Sequence, residues 1–172
     1  CNNGIDDDAD GLIDCEDNDC YFTDPNCKCK EINVLWATDF SNNLLWFNVA
    51  TGVEHLVGRS TSFFTDVTWA PNGKLYGSSN NSLFEIDPNN GNILNSYFGV
   101  LAGSNAGLTT DNNGLFYYES GNTIYSLNLT TSQNITVATF NSNYHISGDL
   151  AFKDGILLGS AYELSTRNPF LL

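Results

Sequence analysis

"WAPNGKLYGSSNNSLFEIDPNNG" runs from Trp69 to Gly91, and its internal rhythm decides the fold. Two short apolar runs, Leu75-Tyr76 and Leu83-Phe84-Glu85-Ile86, are set off by the turn formers Pro71-Asn72-Gly73 and Pro88-Asn89-Asn90-Gly91. The same order returns in "TDNNGLFYYESGNTIYSLNLTTS" (110–132) and begins again in "FKDGILLGSA" (152–161). The turn glycines Gly73, Gly114 and Gly155 stand 41 residues apart each time. An earlier copy is visible in "NVLWATDFSNNLLWFNVATG" (33–52), where Gly52 takes the place of Gly91.

Each unit reads as four short strands, in the clearest case about 65–70, 74–79, 82–87 and 93–98. A four-stranded repeat of about 40–45 residues is the pattern of a β-propeller blade. The expected fold is therefore all-β, with blades of four antiparallel strands; a β-sandwich is the alternative. Units are expected at about 32–62, which lacks its opening strand, 63–104, 105–146 and 147–172, which is incomplete. A separate leader covers 1–31. The strings "PNGKLYG" and "LFEIDPNNG" resemble blades of secreted bacterial propellers of the NHL, SMP-30 and YVTN types, a resemblance that covers about 32–172 and speaks to fold more than to function. About three and a half units are visible, whereas closed propellers have about four to eight blades. Either further blades lie in a longer chain, or neighbouring copies supply strands to an open edge and build a fibre head to tail.

The leader carries different chemistry. Residues 1–31 hold ten of the twenty Asp and Glu against two Lys, a local balance of −8 within a total of −14. From Asp6 the acids fall at Asp6, Asp8, Asp10, Asp14 and Asp17, with Gly11 after the third. Counted as a loop these are positions 1, 3, 5, 9 and 12, with Gly at 6. Calcium takes about six to eight oxygens at about 2.3–2.6 Å, and such a loop supplies them, with the backbone carbonyl of Leu12 at position 7. Without a cation the crowded carboxylates would repel, and some would have to keep their protons. Ca²⁺ is thus the expected cofactor; a solvated acidic tail is the alternative. All five cysteines, Cys1, Cys15, Cys20, Cys27 and Cys29, lie in the same segment. They read as disulfides in an oxidising compartment, with a zinc site near Cys20, Cys27 and Cys29 as the competing reading. Five is odd, so one thiol is free, modified or paired elsewhere.

"DDDADGLIDCEDNDC" resembles the thrombospondin type 3 calcium repeat, and "CNNGIDDDADGLIDCEDNDC" resembles a metal-binding motif of secreted bacterial surface proteins. The resemblance implies that Asp6, Asp8, Asp10, Asp14 and Asp17 are calcium ligands and that Cys1, Cys15 and Cys20 form disulfides. It favours Cys1–Cys15, with Cys20 joined to Cys27 or Cys29. Ala9 stands where such motifs often have Gly. The flanks are turn formers with no helical pattern, so a structural staple is expected in preference to a sensor.

So acidic a chain has no electrostatic footprint for nucleic acid or for an anionic membrane surface. There is no Met and no apolar run of about 18 residues, so a secreted or cell-surface protein without a membrane span is expected. Its partners would be proteins or glycans at the surface, or copies of itself. Catalytic patterns are missing: no G-x-S-x-G elbow, no phosphate-cradling glycine loop. His55 and His145 read as surface or packed residues. Asp66 and Asp149 open equivalent strands, with Gly107 where a third acid would fall; turn capping is expected of them. The alternative is a metal cage of the kind found in the lactonase propellers that the blades faintly resemble, which would make the protein a hydrolase. Asn80, Asn128 and Asn134 stand in N-x-S/T triplets and are candidate glycan acceptors in a secreted chain.

Overall fold

The computed structural model describes residue 13 and residues 34–103 and 107–171. Those residues form four antiparallel sheets, with no helix among them. The first sheet holds β1 (Val34–Thr38), β2 (Asn43–Asn48) and β3 (Glu54–Arg59). The second holds β4 (Asp66–Trp69), β5 (Leu75–Ser79), β6 (Ser82–Ile86) and β7 (Ile93–Tyr97), and the third β8 (Leu108–Thr110), β9 (Phe116–Ser120), β10 (Thr123–Asn128) and β11 (Gln133–Thr139). The fourth holds β12 (Tyr144–Lys153), β13 (Ile156–Glu163) and β14 (Pro169–Leu171). Every sheet is a meander in chain order. The strands expected at 65–98 thus stand within a residue or two of those observed, and the first sheet has three strands. His145 lies inside β12, whose first residues Tyr144–Ile146 pair with Ala161–Glu163 of β13.

The hairpins repeat one device. Asp39, Asn48, Asp87, Asp111, Asn128 and Asn141 each accept a hydrogen bond at Oδ1 from the backbone N–H two residues on. Such side chains satisfy the turn locally. Gly73, Gly114 and Gly155 all have left-handed backbone (φ 75, 81 and 79), so the 41-residue ladder marks one turn shape made three times.

The core lies between sheets, not inside one. Leu44, Phe64, Leu75, Phe84 and Ile86 fill the first junction; Tyr76, Leu83, Leu108, Phe116, Tyr118 and Leu127 fill the second. Adjacent residues of β5, Leu75 and Tyr76, belong to different clusters, as do Leu83 and Phe84 of β6. Side chains alternate across a strand, so these central strands are buried on both faces and read as continuous apolar runs. An aromatic pair marks each junction: Trp36 on Trp69 at 5.6 Å, Tyr76 on Phe116 at 4.9 Å and Tyr117 on Phe152 at 5.0 Å, all edge to face. The opening strands β4, β8 and β12 lie side by side, and β1 lies against β4.

Candidate functional site

The row of opening strands brings together acids far apart in sequence. Asp66 begins β4, and its carboxylate accepts hydrogen bonds from its neighbour Val67 N at 2.7 Å and from Leu108 N, the first residue of β8, at 2.6 Å. Thr110 Oγ1 donates to Trp69 O at 2.9 Å, a second rung of the same inter-sheet tie. Asp66 is also hydrogen-bonded to Asp149 of β12, so its carboxyl touches three sheets. Turn capping, the role expected of Asp66, describes only part of this. Gly107 stands where a third acid would fall, and geometry explains it: a Cβ there would sit 2.5 Å from Gly148 O. Its N–H donates to the buried Glu119 at 3.1 Å.

Burial, and then the charge of Asp149, push the Asp66 carboxyl up to about 8, against the pull of the Leu108 and Val67 N–H groups. Asp66 therefore keeps its proton well above the usual carboxylate range. In the unfolded chain Asp66 ionises near pH 4 (about 3.9 for a free side chain). Between those values the folded state binds the extra proton, so stability falls as pH rises from about 4 to about 8. Asp149→Asn removes the repulsion and leaves the burial. Melting temperature against pH should then decline less steeply than in the parent over that window, with the gain at its alkaline end. Parallel curves for the two proteins would refute the coupling.

The other candidates are placed as follows. Asp6, Asp8, Asp10, Leu12, Asp14 and Asp17, and Cys1, Cys15, Cys20, Cys27 and Cys29, lie outside the described residues. Among the described residues no three His, Cys, Asp or Glu side chains gather where a metal could sit. His55 stacks on Trp46 at 3.8 Å, and His145 on Tyr162 at 5.4 Å, both half-buried. Asn80 and Asn128 are exposed at turns. Asn134 is exposed too, yet its amide is engaged at both ends: Nδ2 donates to Val100 O at 2.6 Å and Oδ1 accepts from Tyr118 Oη at 2.7 Å. A sugar on Nδ2 would compete with the Val100 contact.

No protein-family model matches this sequence, and no curated protein matches it. Solved structures do. U3-55K matches with a TM-score of 0.51 and 11% identity, over 81% of this chain and 48% of its own. An auxiliary nutrient binding protein from Bacteroides thetaiotaomicron matches with a TM-score of 0.51 and 15% identity, over 81% of this chain and 38% of its own. The extracellular domain of a one-component system from the same organism matches at 0.47 and 16%, over 80% and 20%. The likeness is one of fold alone. The chain spans less than half the length of each of these structures.

Proposed function

We propose that the four sheets are successive blades of an extracellular β-propeller, a non-catalytic scaffold for structure and interaction, stapled by a calcium loop in residues 1–31. The observation that carries the propeller is the row of opening strands: β4, β8 and β12 stand side by side while each sheet runs outward from them. Repetition of the aromatic junctions supports it. The extracellular setting and the calcium loop rest on the clustered cysteines and on the D-x-D-x-D-G spacing from Asp6.

Calcium gives the test. An ion that binds only the folded chain, at about 100 times its dissociation constant, adds about 2.7 kcal/mol. For a chain of this size that is about 5–11 °C in melting temperature. Chelation with EGTA should remove that increment, and the Asp8→Asn/Asp10→Asn double variant should show neither the increment nor the heat of calcium binding in a titration. A parent protein that takes up no calcium heat and melts alike with and without EGTA would overturn the staple.

A further inference from the structure

A cleft of about 600 Å³ opens between the second and third sheets, within the size range of small-molecule sites. We infer that it binds a neutral oligosaccharide. Among the described residues its wall contains no Asp, Glu, Lys, Arg or His, although the chain carries a net charge of −14. An anion would meet the repulsion of the whole protein, and a cation would find no counter-charge at the wall. A neutral ligand meets neither obstacle.

The polar groups present suit hydroxyls. Asn72, Asn112, Asn113 and Asn128 line the cleft, and Asn72 and Asn113 occupy the same turn position in consecutive units, 41 residues apart. An amide offers donor and acceptor side by side, and neighbouring sugar hydroxyls offer the complement. Several of these amides are already held. Asn128 Oδ1 accepts from Thr130 N and Thr131 N, which leaves its NH₂ group unpaired among the described residues. Asn72 is held between Lys74 N and Tyr76 Oη. Asn112 makes no side-chain hydrogen bond among the described residues. Groups fixed before the ligand arrives lower the entropy lost on binding.

The remaining wall mixes aliphatic side chains, among them Pro71, Leu115 and Leu129, with three rings. Tyr76 and Phe116 are buried edge to face, and Tyr97 is half-buried beside them. A pyranose ring has a C–H face and a hydroxyl rim; this cleft offers the partly exposed Tyr97 and its aliphatic neighbours to the first and amides to the second. An alkyl chain would leave the amides unpaired; a nucleotide would bring its phosphates into the acidic field.

The test uses the full chain made in a host that adds no N-glycans, because Asn128 stands in an N-x-T triplet. Neutral hexasaccharides (cellohexaose, mannohexaose, xylohexaose and laminarihexaose) and an oligogalacturonate of equal length are titrated by calorimetry at millimolar concentration. At least one neutral glycan should bind and the acidic one should not. Asn112→Ala should weaken that binding about 2–10-fold, the worth of one or so neutral hydrogen bonds, with the melting temperature unchanged. Failure of every neutral glycan to bind, equal binding of the oligogalacturonate, or full binding by an Asn112→Ala/Asn128→Ala variant would each overturn the site. EGTA should leave saccharide binding intact, because every described residue of the cleft belongs to the second and third sheets and their turns. Loss of the calcium effect and loss of the saccharide site are therefore read separately.

Discussion

Tyr118→Ala is expected to remove about 3–5 kcal/mol of folding stability, the range for deleting a large buried aromatic. Tyr118 is 0% exposed in the core between the second and third sheets. Its ring stacks on Tyr125 of the neighbouring strand, with centroids 5.4 Å apart. Its hydroxyl accepts from Ala102 N at 2.8 Å and donates to Asn134 Oδ1 at 2.7 Å, while Asn134 Nδ2 reaches Val100 O. One side chain therefore fills the junction and also pins the connection at residues 100–102 that enters the third sheet. Tyr118→Phe separates the two roles. It keeps the ring and strands the Ala102 N–H, which is half-buried, for about 1–3 kcal/mol, while exposed Asn134 Oδ1 can turn to water. Urea unfolding measures both. A Tyr118→Ala loss no larger than that of Tyr118→Phe would mean that the ring is not a core element.

Gly58→Ala is the second large effect, and its cause is space. A Cβ at Gly58 in β3 would lie 1.9 Å from Asn90 O and 2.6 Å from Asn90 C, in the β6–β7 turn of the next sheet. That turn is braced: Gly91 N bonds to Asp87 O at 2.9 Å, and Asn90 Nδ2 bonds to Asp87 Oδ2 at 2.8 Å. Backbone held this way cannot step aside, so the loss should reach or exceed the upper end of the usual overpacking range, about 3 kcal/mol. Gly52→Ala is the contrast. A Cβ there meets nothing within 4 Å, but the backbone is left-handed (φ 71), and about 1–2 kcal/mol of conformational strain is the whole effect. Equal losses at the two glycines, measured by thermal or urea unfolding, would rule out the close approach of the first two sheets.

These two cases also mark what the residues could and could not announce. Repetition in the chain placed β5, β6, β9 and β10, because turn glycines with left-handed backbone and Asx turns act within a few residues of themselves. Gly58 looks like an ordinary glycine in a string and Gly107 like a missing acid; the close approaches that explain them come from a neighbouring sheet about 32 and 41 residues later, at Asn90 and Gly148. Asp66 is the same kind of case. Its Val67 bond is local, but the Leu108 bond and the meeting with Asp149 exist only because opening strands stand in a row. The cleft was hidden differently. Asn72 reads as a turn former and Asn128 as a glycan acceptor, and only the approach of two turns shows that they line a common space.

The double-sided burial of β5 and β6 has a consequence for how the molecule comes apart. Detaching the second sheet would bare two apolar faces at once, one toward each neighbour. The second sheet cannot leave cheaply, so the amides of β5 and β6 should exchange with deuterium as one slow group, released only when both neighbouring junctions open.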